Sequence, residues 1–304
     1  MKKYNGKDGK KLCYLDFKVE KPKATLHILH GMAEYAARYT DFAKYLNTFG
    51  ISVYIQDHRG HGENVENNEV GFFAEKDGWK LIGDDSYCLD LLIRKENKDT
   101  KHFIMGHSMG SFLARDLISR YPELYDGAII MGTGPSAGLL GSIGTLLAKM
   151  EIRRQGAKTT SVFLNSLALG SNNNGIQNPR TSCDWLSRDN DVVDAYIKDP
   201  LCGFVCPTSF YRDLIQGVKT ANNKKLVKKV NKDMPILIIS GDKDPVGHNG
   251  AGVKKVYSLY KSAGIKDLEL NLIEGARHEV LNETDKDDTY KALSTWLCEK
   301  VAKC

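Results

Sequence analysis

The chain has 304 residues, 41% hydrophobic and 27% charged, with 43 Lys and Arg against 38 Asp and Glu for a net charge of +5. That composition suits a globular protein with a sizeable core, and the charge is too mild to argue for nucleic acid as a partner. No run of about eighteen apolar residues appears, as a membrane span would need. The basic N-terminus lacks an apolar stretch of signal-peptide length. The seven scattered cysteines point to free thiols in a reducing cytoplasm rather than to a disulfide framework.

In chain order, "ATLHILH" (24–30) reads as a buried strand and "RYTDFAKYLNTFG" (38–50) as a helix closed by Gly50. "ISVYIQD" (51–57) is the next strand, residues 79–97 have helical spacing, and "KHFIMG" (101–106) is a strand. The segment 110–122 predicts a helix stopped before Pro122, and "DGAIIMG" (126–132) another strand. The alternation resumes with strands at 234–242 and 266–275 and helices at 252–264 and 287–301. Strands separated by helices imply parallel pairing with right-handed crossovers, hence a doubly wound, mostly parallel α/β sheet. Residues 12–17 are read as adding an antiparallel edge hairpin. Between 133 and 230 the rhythm breaks into Gly- and Asn-rich loops and amphipathic pieces. The expected organisation is therefore a core from 1–132 and 231–304, interrupted by a helical cap at 133–230.

"GHSMG" (106–110) falls where a strand ends and a helix begins, the setting of a G-x-S-x-G nucleophile elbow. Gly106 and Gly110 leave room for strand and helix to approach, and the turn lifts the Ser108 hydroxyl clear of the backbone. The Met109 N–H then points toward an anion at the start of the helix. A serine needs a base, and the base an orienting acid, in the chain order serine, acid, histidine. After Ser108 only His248 and His278 remain. His278 follows a predicted strand and is the better base, and the preceding strand end offers Asp242 and Asp244. The loop after the strand 24–30 would supply a second oxyanion donor, the Met32 N–H, with Gly31 allowing a close turn. Glu34 and Arg38 are four residues apart, as in an ion pair holding that loop.

Together "HGMAEYAARY", "DHRGHGEN", "GHSMGS", "SGDKDPVG" and "GARHEVLNE" occur in an order that resembles the monoacylglycerol lipase/lysophospholipase branch of the α/β-hydrolases, also called serine aminopeptidase S33-like. Residues 180–204 resemble the cap of its bacterial members. The resemblance implies an α/β-hydrolase fold with Ser108 as nucleophile, Asp244 as orienting acid, His278 as base, and Met32 and Met109 as oxyanion donors. Pro245 favours an extended Asp244, in keeping with that assignment. Asn64 and Ala33 stand where the family usually has serine and glycine. No metal or cofactor is expected. His58 and His61 read as a loop brace, and Cys202 and Cys206 as packing residues. The expected substrate is a lipid-like monoester, a monoacylglycerol or lysophospholipid. A small-ester or thioester hydrolase, a short-peptide aminopeptidase and a catalytically silent ligand-binding protein are the alternatives. The basic run 222–232 suggests a solvated helix face or weak contact with an anionic lipid surface. The apolar stretch 138–150 reads as a helix packed on the core or a lid along an acyl channel.

Overall fold

The computed structural model describes residues 1–302. The chain opens with β1 (Lys2–Asn5) and β2 (Lys11–Phe17), an antiparallel hairpin. It continues through β3 (Ala24–Leu29), α1 (Thr40–Asn47), β4 (Ile51–Gln56), α2 (Gly78–Glu96), β5 (Lys101–His107), α3 (Met109–Arg120) and β6 (Gly127–Met131). Five helices follow: α4 (Gly138–Gln155), α5 (Val162–Leu169), α6 (Asn190–Lys198), α7 (Thr208–Ala221) and α8 (Lys224–Val227). The chain then returns through β7 (Ile236–Gly241), α9 (Ala251–Ser262), β8 (Leu268–Ile273) and α10 (Lys286–Ala302). The sheet order is β1-β2-β4-β3-β5-β6-β7-β8, parallel from β4 onward, with β2 pairing antiparallel to β4. This is the doubly wound, mostly parallel α/β architecture that the alternation of strands and helices implies.

The central strands are buried on both faces, so they read as apolar runs, and their alternation sorts side chains between two layers. Ile129 and Met131 pack with α1 and α10, whereas Ala128 and Ile130 face α3, α7 and α9. Burying each such Ile or Leu contributes roughly 1.5–3 kcal/mol. The segment between β6 and β7 is not uniform. α7 and α8 pack against α3, with Phe210 and Tyr211 in the core layer. α4 lies on α7 through a stripe of small residues, Gly141, Gly144 and Ala148, while Leu139, Leu140, Leu146 and Met150 point outward. This reverses the usual inward placing of large apolar side chains. The basic run 222–232 forms only the one-turn α8, with Lys224, Lys225, Lys228 and Lys229 exposed.

Three backbones meet where the site is built. A Cβ on Gly106 would collide with the Gly110 carbonyl, and one on Gly110 with the Leu29 carbonyl. Both obstacles are backbone, so neither can swing aside. Gly106→Ala and Gly110→Ala are each expected to destabilise the fold by about 3 kcal/mol through overpacking. Thermal unfolding checks this as a Tm lowered by about 6 °C or more.

Candidate active site

Ser108 is the single residue between β5 and α3. Its φ of 52° and ψ of −119° would be strained for any side-chain-bearing residue. Its N–H donates to the Met131 carbonyl at 3.0 Å, and its own carbonyl accepts from the Ser111 N–H at 2.9 Å and the Ser111 hydroxyl at 2.6 Å. These bonds fix the strained backbone from both sides. The Ser108 side chain does not cap α3, so its hydroxyl faces the cavities above the sheet. Met109 supplies the first amide of α3, which the helix itself leaves unpartnered.

His278 follows β8, and its Nδ1 lies 2.9 Å from Asp244 Oδ1. Asp244 is fully buried and also accepts from the Ser240 hydroxyl at 3.0 Å and the Val246 N–H at 2.9 Å. Burial alone would raise the Asp244 carboxyl. His278 beside it and these donors reverse that and hold it below its ordinary value. Asp242 turns away into the loop, accepting the Gly275 N–H at 2.8 Å, and His248 is exposed. The structure thus brings Asp244 rather than Asp242 against His278. The His278 ring lies 4.9 Å from the Trp185 ring and 4.8 Å from the His107 ring, centre to centre. Gly132, at φ 58°, clears the His278 and His107 rings, and a Cβ there would come within 3.1 Å of His278 Cε1.

The loop after β3 is held from below. His58 N–H donates to His30 Nε2 at 3.0 Å, which leaves the His30 proton on Nδ1, directed at the Gly31 carbonyl 2.7 Å away. In a trans peptide the N–H points opposite the carbonyl, so this bond aims the Met32 N–H the other way. Burial pushes both His30 and His58 down, in keeping with neutral rings. The histidines of "DHRGHG" therefore work as braces. His61 Nδ1 lies 2.9 Å from the Arg59 carbonyl. Asn64 belongs to the same brace, donating to the Asp57 carbonyl at 2.6 Å and accepting the Cys13 N–H at 2.9 Å. Glu34 and Arg38 do pair, at 3.0 Å, but Arg38 also binds Glu279 through two bonds of 2.7 Å. That second partner, 241 residues away, leaves no mark in local sequence. Ala33 occupies the left-handed region at φ 49°. Its carbonyl accepts from the Gly203 N–H at 2.9 Å and the Tyr196 hydroxyl at 3.0 Å.

Two cavities meet at Ser108. One, of about 850 Å³, is lined by Met109, Phe112, Leu214 and Val218 on one side and by Arg188, Lys243 and Arg277 on another. The other, of about 360 Å³, reaches His278, Glu34, Glu279, Phe204 and Tyr196. Met32, Leu169 and Trp185 line both. Among the described residues no carboxylate lines the larger cavity. The only two at the smaller one, Glu34 and Glu279, are paired with His107 and Arg38. No group of three or more His, Cys, Asp and Glu among the described residues is placed to hold a metal ion.

An elbow serine at the carboxyl edge of a doubly wound sheet, with a buried histidine–aspartate pair following in chain order, defines an α/β-hydrolase. Residues 20–285 match the family described as serine aminopeptidase, S33, and the chain belongs to that family. It is 28% identical over 291 residues to a monoglyceride lipase homolog of Monkeypox virus, covering 92% of this chain and 91% of that one. It is 26% identical over 284 residues to a monoacylglycerol lipase of Mycolicibacterium smegmatis, covering 91% and 88%. Among solved structures, a thermostable carboxyl esterase from Bacillus coagulans in complex with glycerol superimposes with a TM-score of 0.91 at 25% identity, covering 98% and 97%.

The two aspartates make different demands on this geometry. Asp244→Asn is expected to lower kcat on an activated ester by about 10³–10⁴-fold, as loss of a histidine-orienting charge does. Asp242→Asn should cost less than about 30-fold and appear mainly as reduced stability. Kinetics of both variants on one ester, with circular dichroism to confirm folding, would expose an exchanged assignment.

Proposed function

We propose that the protein hydrolyses lipid-like monoesters, monoacylglycerols or lysophospholipids, through an acyl-Ser108 intermediate. At the coarser level it is a carboxylic ester hydrolase, like the lipases and esterases it resembles in sequence and fold. His278 takes the Ser108 proton as Oγ attacks the ester carbonyl. The oxyanion is held by the Met32 and Met109 N–H groups, and Asp244 stabilises the imidazolium. Collapse of the tetrahedral intermediate returns the proton to the departing alcohol. Water, deprotonated by His278, then attacks the acyl-enzyme and releases the acid and free Ser108. Gly31, Gly106 and Gly110 keep these backbones close enough to act together.

The observation that carries the substrate reading is the charge of the cavity walls. An aminopeptidase must bind a substrate ammonium, and that calls for an unpaired carboxylate near the serine. Here no carboxylate among the described residues lines the larger cavity, whose Arg188 and Lys243 are paired with Glu283, Asp285 and Asp242 outside it, and the two carboxylates at the smaller one already have cationic partners. A long acyl ester suits the Phe112, Leu214 and Val218 wall better than a charged peptide terminus does. The outward face of α4 and α5, with Leu139, Leu140, Leu146, Phe163 and Leu167 exposed, supports contact with a lipid surface beside that cavity. Among the described residues no helix is long and apolar enough to cross a membrane. The described cysteines are free thiols, which supports a reducing, cytoplasmic setting. We assign the acyl-binding cap to the part of 133–230 that carries α4–α6.

A fluorophosphonate should label Ser108 alone, and Ser108→Ala should be folded and inactive; labelling that survives this substitution would sink the mechanism. In a panel of glycerol monoesters, kcat/KM should climb from acetyl to medium chains by up to about fourfold per methylene, the equivalent of about 0.8 kcal/mol each. Acetyl esters best of all, or aminoacyl amides ahead of every ester, would reject the lipid reading.

A further inference from the structure

The charged cluster beneath the site has no part in the chemistry just described, yet it touches both loops that carry it. Glu34 is buried and accepts four donors. Its Oε1 takes the Gly31 N–H at 2.6 Å, the Tyr39 hydroxyl at 2.9 Å and His107 Nδ1 at 3.0 Å, and its Oε2 takes Arg38 at 3.0 Å. His107 Nε2 faces the His278 carbonyl at 3.3 Å. Gly31 is wedged between this carboxylate and the serine: a Cβ on it would lie 2.6 Å from Glu34 Oε1 and 3.1 Å from Ser108 Cβ.

We infer that Glu34, with a protonated His107 as its partner, is the positioning residue that holds the oxyanion loop and the His278 backbone in register over Ser108. This rests on the serine-hydrolase reading above. The proton count follows from geometry. The Tyr39 hydroxyl, 3.0 Å from His107 Nδ1, gives its one proton to Glu34 at 2.9 Å; an ionised Glu34 Oε1 and the His278 carbonyl oxygen only accept, and one lies on each side of the His107 ring, so both ring nitrogens are left to donate. His107 is then an imidazolium bridging the two loops. The groups facing it are Glu34 and Tyr39 from the loop after β3, Glu279, and the His278 ring 4.8 Å away, and the carboxylates among them fit a cation. His30 and Arg38 stand nearby as a neutral ring and a cation already paired with Glu279. Burial would lower the His107 ring, and the Glu34 hydrogen bond and charge raise it above its ordinary value. Burial would raise Glu34, and His107 and Arg38 hold it far below its ordinary value. A raised histidine gives stability present at low pH and lost as pH rises through its folded value. A depressed glutamate gives stability lost only as pH falls through its own. The pair therefore stands intact from mildly acidic to near-neutral pH.

The test combines the ring signals of His107 with Glu34→Gln, which keeps the shape and removes the charge. In the wild-type protein near pH 6.5, ¹⁵N chemical shifts should show His107 with both nitrogens protonated; in Glu34→Gln the ring should be neutral. Glu34→Gln should lower kcat on an activated ester by about 30- to 100-fold, with KM changed less than about threefold. Its affinity for a boronate mimic of the tetrahedral intermediate should fall in parallel. A neutral His107 in the wild-type protein, or a loss confined to KM, overturns the inference. Wild-type kcat in Glu34→Gln overturns it as well. Should Glu34→Gln fail to fold, the wild-type ring signals decide alone. Fluorophosphonate labelling of wild-type Ser108 separates the two readings: its absence defeats the serine mechanism, whatever the state of His107.

Discussion

The site depends on a single crowding constraint, the meeting of β3, β5 and the start of α3 with no room for a Cβ at Gly106 or Gly110. Because α3 begins at once after β5, Ser108 has to absorb the whole change of direction in one residue, and its positive φ is the result. The strain is sustained by bonds to Met131 and Ser111 on either side of it. The same proximity brings the Leu29–Gly31 backbone alongside the first turn of α3. Two amides from separate segments can therefore face one point above the serine. The placing of the serine and of these two amides is thus the consequence of one packing event rather than of independently placed features.

The second requirement is electrostatic. Glu34, Arg38, His107 and Glu279 are all withdrawn from water next to the serine, at a desolvation cost of several kcal/mol per ion that only close pairing offsets. The pairing is dense: two carboxylates, a guanidinium and an imidazolium, cross-linked at 2.7–3.0 Å. Such a cluster tolerates little displacement, because moving one partner leaves another buried and unpaired. It occupies the space under the oxyanion loop that an apolar cluster could fill with less penalty. What it provides beyond packing is direction, since Glu34 fixes the Gly31 amide and His107 the His278 carbonyl.

What the sequence carried plainly was local. The strand–helix alternation, the elbow glycines and the choice of His278 over His248 all rest on features within a few residues. The preference for Asp244 drew on Pro245 and the family pattern, and in the structure Asp244 lies 2.9 Å from His278. The bracing and positioning network was hidden, because its members lie far apart along the chain. Glu34 meets His107 across 73 residues and Arg38 meets Glu279 across 241. His107 occupies a spacer position of the elbow motif, and Gly132 stood only at the end of a predicted strand. α4 misleads for another reason. Apolar content suggests a helix packed on the core or a lid, but does not show that the face resting on α7 is its stripe of small residues, with Ile215 of α7 3.1 Å from where a Cβ on Gly144 would lie.

Ala33 links the two halves of the molecule. A glycine there would take the left-handed conformation at less cost; alanine takes it because its carbonyl is held twice by the inserted segment, through Gly203 and Tyr196. Tyr35 adds a bond of 2.8 Å to Asp199, and Tyr196 stacks under Arg38 at 4.9 Å. The α6 side of the insertion is therefore fastened to the loop after β3 by several polar contacts. The α4–α5 side rests on α7 through small residues and turns its large apolar side chains outward. Its inner edge, at Ala168 and Leu169, forms part of the larger cavity wall. The insertion thus divides into a fixed part that shares the geometry of the oxyanion loop and a part whose apolar surface continues from the cavity to the outside. The polar contacts to the loop after β3 and the outward apolar surface lie on different parts of one insertion.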